Sequence, residues 1–224
     1  MDIVEKILSE KIIAIMRRVP VSRVVDTAEA LYEGGLRVIE FTFDQSSETG
    51  ERDAAKAIAM LRNRFDGRME TGAGTVLTKR QVDIAIDAGA GFIVSPNVNP
   101  DVIRYTVSKG AVSIPGGMTP SEIIAAHEAG AALVKLFPAG ELGAGYVKAV
   151  VSPVSHVPII AVGGVDLSNI AEFIEAGIRG FGVGSSLVRS DLIEAGHYGA
   201  IKSLAEKYTA LVKQRPDSGE AALL

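Results

Sequence analysis

The chain has 224 residues, 47% of them hydrophobic and 22% charged, with a formal net charge of −4. That balance predicts a globular domain with a core large enough to need no staples, and its mixed, slightly acidic charge argues against a nucleic-acid surface. There is no cysteine, which removes disulfides, thiolate catalysis and thiolate metal sites, and His127, His156 and His197 are too far apart in sequence to read as a ligand pair.

Short apolar runs alternate with longer runs of helical period along the chain. The predicted strands, in order, cover residues 12–17, 38–43, 69–75, 91–96, 111–116, 133–138, 158–164 and 180–185. Their starts lie about 20 to 31 residues apart, which is room for one helix and two short loops and forces the strands parallel. Helix signals fit between them. One helix runs from Val24 towards Gly34-Gly35, another opens at Thr119-Pro120-Ser121-Glu122 and closes at Gly130, and a third opens at Ser168-Asn169 and closes at Gly177. Eight such units predict a single-domain α/β fold, a (β/α)8 TIM barrel over residues 1–213. A doubly wound open sheet is the alternative topology. Residues 214–224 read as a frayed tail. The N-terminus lacks the cationic and apolar regions of a signal peptide, and no apolar run is long enough to span a bilayer, so a cytoplasmic protein without a membrane partner is expected.

Strands in such a barrel are buried on both faces and should be apolar inside. Four charges break that rule: Arg17, Glu40, Glu70 and Lys135. Alternation puts Val38, Glu40 and Thr42 on the inward face of the second strand, and Leu133, Lys135 and Phe137 on that of the sixth. A carboxylate and an amine thus enter one interior. A structural ion pair is a poor use of both, because desolvation commonly cancels the Coulomb gain. The sharper reading is a Lys135 amine with a lowered pKa, acting as nucleophile, with Glu40 as its proton shuttle. Arg17 ends the first strand at the carboxyl face, where it suits a substrate carboxylate. Its neighbour Arg18 reads as a loop charge, and Glu70, at the opposite end, as structural. Gly163-Gly164 and Gly184-Ser185-Ser186 close strands seven and eight, where barrels often hold phosphate on backbone N–H groups.

The runs IEFT, GAGTVL, VSPN, VKLFPA, AVGG and GVGSSL together resemble the 2-keto-3-deoxy-6-phosphogluconate / 4-hydroxy-2-oxoglutarate (KDPG/KHG) aldolase family, over about residues 12–188. The resemblance implies a class I aldolase in which Lys135 forms the Schiff base and Glu40 is the general acid/base. It implies that Thr75 contacts the pyruvyl carboxylate, that Pro96 and Phe137 wall the pocket, and that Gly163, Gly164, Gly184 and Ser185 receive the phosphate. It also implies a homotrimer with no metal and no organic cofactor, cleaving 2-dehydro-3-deoxy-6-phosphogluconate to pyruvate and glyceraldehyde 3-phosphate, and also 4-hydroxy-2-oxoglutarate to pyruvate and glyoxylate. One position departs. The phosphogluconate branch carries an arginine shortly after the glutamate motif, and Asp44 stands there instead. The 2-dehydro-3-deoxy-6-phosphogalactonate aldolases also lack that arginine and carry one at the first-strand position, as Arg17 does here, so both C4 epimers stay open as substrates. The rival classes are a metal-dependent pyruvate aldolase, a phosphate-binding barrel isomerase or synthase without Schiff-base chemistry, and a non-catalytic binding barrel.

Overall fold

The computed structural model describes residues 2–213, and the expected tail at 214–224 lies outside the described residues. The strands are β1 (Ile12–Met16), β2 (Val38–Thr42), β3 (Glu70–Gly74), β4 (Phe92–Val94), β5 (Val112–Ile114), β6 (Gly116–Gly117), β7 (Val134–Leu136), β8 (Ile159–Val162) and β9 (Gly180–Val183). The helices that matter below are α1 (Ile3–Glu10), α2 (Val24–Glu33), α3 (Gly50–Phe65), α4 (Lys79–Asp87), α5 (Pro100–Ser108), α6 (Pro120–Glu128), α7 (Ala139–Val151), α8 (Ile170–Glu175), α9 (Ser190–Glu194) and α10 (Tyr198–Lys213). All strands lie in one parallel sheet, ordered β5-β4-β3-β2-β1-β9-β8-β7-β6.

The two edge strands of that order are halves of one predicted strand, parted by Pro115, whose ring lacks the N–H that a continuous ladder needs. The ring closes through them. The Ile114 carbonyl accepts from the Ser95 N–H at 3.2 Å on the β4 side, and the Pro115 carbonyl accepts from the Lys135 N–H at 2.9 Å on the β7 side. The fold is the expected eight-stranded barrel.

Alternation along the strands separates two cores. Outward residues such as Ile39, Phe41, Val134 and Leu136 pack under the helices, while Ile13, Val38, Phe92, Leu133 and Ile160 fill the ring. Large and small side chains interdigitate inside it. A Cβ at Gly72 would strike the Phe92 ring, and one at Gly182 would lie 2.7 Å from Val162 Cγ2. Helix α1, which stands outside the repeated units, contributes Ile7 to this inner core and runs directly into β1 through Lys11, so it plugs the amino-terminal end of the barrel. Its start is a capping box: the Glu5 N–H donates to Asp2 Oδ1 at 2.8 Å and the Asp2 N–H to Glu5 Oε2 at 3.1 Å. Helix α6 begins the same way at Thr119 and Glu122, as its sequence predicts, and ends at Gly130 with a left-handed φ of 104°.

Candidate active site

Glu40 and Lys135 are held in the ring by ladders whose neighbouring positions are apolar. In register, Glu40 lies between Ile15 and Gly72, and Lys135 between Gly116 and Ile160. Neither side chain has water around it to any extent: Glu40 is 3% exposed and Lys135 8%. Burial pushes the Glu40 carboxyl up to about 7, with the Lys135 charge pulling against it. Burial also lowers the Lys135 ammonium, which the Glu40 charge opposes and the Arg17 charge reinforces. The two shifts thus run towards each other, the carboxyl upward and the ammonium downward, both because burial disfavours the charged form.

Phe137 lies against Lys135. The Phe137 ring centroid lies 4.7 Å from the Lys135 ammonium nitrogen. The same ring packs against Gly163, where a Cβ would lie 3.0 Å from two ring carbons. The Phe137–Pro138 peptide is cis. Pro96, just after β4, is half-buried, and its carbonyl is approached so closely by Gly116 that a Cβ there would sit 2.5 Å from the oxygen. Glu40 has a similar requirement: a Cβ at Gly74 would lie 2.5 Å from its Oε1. Gly163 and Gly164, at φ 84° and 69°, form a turn tied to α7 by the Gly140 N–H donating to the Gly163 carbonyl at 2.7 Å. The Asn169 side chain donates to the Gly164 carbonyl at 2.7 Å and accepts from the Asp166 N–H at 2.9 Å. Asn169 therefore shapes this turn, and α8 starts at Ile170 without a side-chain cap. Gly184 and exposed Ser185 open the next turn, which Ser186 ties to the first by donating to the Val165 carbonyl at 2.8 Å. Glycine-lined turns from β8 and β9 are thus joined at one rim of the barrel.

A cavity of about 190 Å³ opens at the β1–β3 side of the mouth, lined by Arg17, Arg18, Thr42, Asp44, Gln45 and Thr75 among others. One sequence expectation changes here. Arg18 is no ordinary loop charge: β1 stops at Met16, and Arg18 takes a left-handed φ of 57° and lines the cavity. Asp44 does not pair with Arg17 by a direct ion bridge. Its carboxylate accepts from the Ser46 N–H at 3.0 Å and the Ser46 hydroxyl at 2.6 Å, and these bonds, with the charges of Arg18 and Arg17, hold its pKa below the usual carboxylate range. Thr75 is also left-handed, at φ 59°. Sequence periodicity carries no signal for either backbone, since both residues follow a strand end.

Away from the mouth, a cavity of about 230 Å³ lies between α2 and α10, and two of the acids on it are paired, Glu33 with Lys202 at 3.2 Å and Glu29 with Arg64 at 2.6 Å. His127 and His156, distant in sequence, bring their rings to 5.5 Å on the outer layer. Among the described residues no group of three or more His, Cys, Asp or Glu side chains is placed to hold a metal. No helix among them is long and apolar enough to cross a membrane.

The family model "KDPG and KHG aldolase" matches residues 3–204. The chain belongs to this aldolase family. It is a carbon–carbon lyase on a barrel scaffold. A probable 2-dehydro-3-deoxy-6-phosphogalactonate aldolase of Rhizobium meliloti is 39% identical over 81% of this chain and 84% of its own. A 2-dehydro-3-deoxy-phosphogluconate aldolase of Treponema pallidum is 35% identical over 90% of this chain and 93% of its own. A solved KDPG aldolase from Legionella pneumophila, with pyruvate captured at low pH as a covalent carbinolamine intermediate, superposes with a TM-score of 0.82 at 26% identity, covering 92% of this chain and 97% of that one.

Proposed function

We propose that this aldolase is of class I and cleaves 2-dehydro-3-deoxy-6-phosphogluconate to pyruvate and glyceraldehyde 3-phosphate through an imine on Lys135. The observation that carries the reading is a lysine and a carboxyl buried in one barrel interior, where desolvation lowers the ammonium's pKa and pushes the carboxyl up to about 7. The neutral amine adds to the C2 ketone, and loss of water with a proton from Glu40 leaves an iminium. Glu40, now ionised, takes the C4 hydroxyl proton. The C3–C4 bond breaks, its electron pair moves into the iminium to give an enamine, and the aldehyde leaves. Glu40 returns the proton to C3, and hydrolysis of the imine frees pyruvate. The captured carbinolamine in the Legionella pneumophila relative supports this route. Glyoxylate in place of the triose phosphate would make 4-hydroxy-2-oxoglutarate a second substrate.

Arg17 and Thr75 take the pyruvyl carboxylate, Pro96 and Phe137 wall the pocket, and Gly163, Gly164, Gly184 and Ser185 receive the phosphate. A homotrimer is the assembly that the family resemblance supports. A second reading, cleavage of the galactonate epimer, is favoured by a specific observation: the only arginines on the described cavity wall come from the turn after β1, while Asp44 occupies the place after β2. The Rhizobium meliloti relative supports it.

Borohydride reduction in the presence of pyruvate tests the chemistry. Stable label is expected on the peptide containing Lys135 and none in Lys135→Ala. Label on another lysine, retained in that variant, would overturn the assignment. The ratio of kcat/KM for the two C4 epimers decides the substrate.

A further inference from the structure

Thr75 is a β-branched residue in a left-handed conformation, which ordinarily costs stability and needs something to hold it. The peptide that follows it is gripped at both ends. Its N–H, on Val76, donates to the Val94 carbonyl at 3.1 Å, and its carbonyl, on Thr75, accepts from Gln45 Nε2 at 2.8 Å. Gln45 in turn accepts at Oε1 from Gln81 Nε2 at 3.0 Å, and Gln81 accepts at Oε1 from the Leu77 N–H at 2.8 Å.

The polarity of this chain is fixed from one end. The Leu77 N–H can only donate, so it must face the oxygen of Gln81. That leaves the Gln81 amide nitrogen for Gln45, whose oxygen must turn to receive it. Only then does the Gln45 nitrogen face the Thr75 carbonyl. Gln81 is 6% exposed, on the first turn of α4, and does not line the cavity. It acts at a distance, through Gln45.

We propose that Gln81 and Gln45 are positioning residues that lock the Thr75–Val76 peptide in the orientation presenting Thr75 to the substrate carboxylate. The inference rests on the reading above, that Thr75 contacts that carboxylate. It extends the working site from the barrel mouth to a buried glutamine on an outer helix, and makes the direction of an amide a condition for substrate binding.

Gln81→Glu tests the polarity. The new carboxylate still accepts from the Leu77 N–H but cannot donate to Gln45. The Gln45 amide therefore turns its nitrogen to the carboxylate and its oxygen to the Thr75 carbonyl, which repels it. The pyruvate concentration that half-saturates borohydride trapping should rise about tenfold, the scale of one well-made hydrogen bond, with maximal trapping and kcat within about threefold of the parent. Gln45→Met, at an exposed position and without a donor, should do the same if Gln81→Glu fails to fold. A merely structural role is separated by a cycle with Thr75→Gly. Glycine takes a left-handed φ without strain, so in that background Gln81→Glu should shift half-saturation no further. Parental half-saturation in both Gln81→Glu and Gln45→Met would overturn the inference, as would an equal shift with and without Thr75→Gly. A parent that does not trap pyruvate at all defeats the underlying reading instead, and the two failures are told apart by that control.

Discussion

Glu40 and Lys135 are the charged side chains that the described barrel buries, and each is destabilised in its charged form by its surroundings. For Glu40 the folded pKa is raised, so its neutral form is accommodated below about 4.5 and the fold loses stability as pH rises through about 7. Glu40→Gln removes that charge. It is expected to raise Tm at pH 8, with an upper limit of about 3 kcal/mol, and to leave Tm at pH 4 near the parent's. The same variant should keep trapping pyruvate but lose about 10²–10⁴-fold in kcat. Near-parental turnover would make Glu40 a structural charge. Both residues were legible in the sequence because a charge at an inward strand position violates burial. Arg18 was not, because its part comes from a left-handed turn and not from strand parity. The cavity wall predicts that Arg17→Ala raises KM for pyruvyl substrates by the equivalent of a few kcal/mol. Arg18→Gly, which accepts the same φ, should also raise KM without loss of stability. An unchanged KM in Arg18→Gly would return it to the role of a surface charge.

At the scale of elements, the strand predictions hold to within one or two residues at most ends, since apolar runs bounded by glycine and proline mark both limits. The fifth strand is the exception: it continues as a path but breaks as a ladder at Pro115. Helix α1 was not read from the repeat, because it belongs to none of the β–helix units. Its apolar face nonetheless closes the bottom of the ring, with Ile7 1% exposed among the inward residues. Truncating it leaves a cavity that the closed sheet cannot collapse to fill. Ile7→Ala is therefore expected to destabilise the protein by about 2–5 kcal/mol in denaturant titrations while leaving KM unchanged. A loss below about 1 kcal/mol would mean that α1 is only loosely seated.

Taken as a whole, the molecule divides its labour: one arc of the rim, after β1, carries arginines, the adjoining arc, after β8 and β9, glycine-lined turns, and the interior below them the amine and the carboxyl. With the protonated imine as electron sink, the chemistry requires no Lewis acid, so dialysis against EDTA is expected to leave kcat unchanged. Loss restored by a divalent ion would place the enzyme in the metal-dependent class. One small feature also bears on how this enzyme can diversify. The Glu40 carboxyl rests where a side chain at position 74 would be, and its flexible end would yield before the backbone did. In a mutational scan, Gly74→Ala should therefore score as folded by protease resistance and inactive by turnover. A position with no functional group would then carry the signature of a catalytic one, and evolution towards new substrates would be barred there for as long as Glu40 moves the proton.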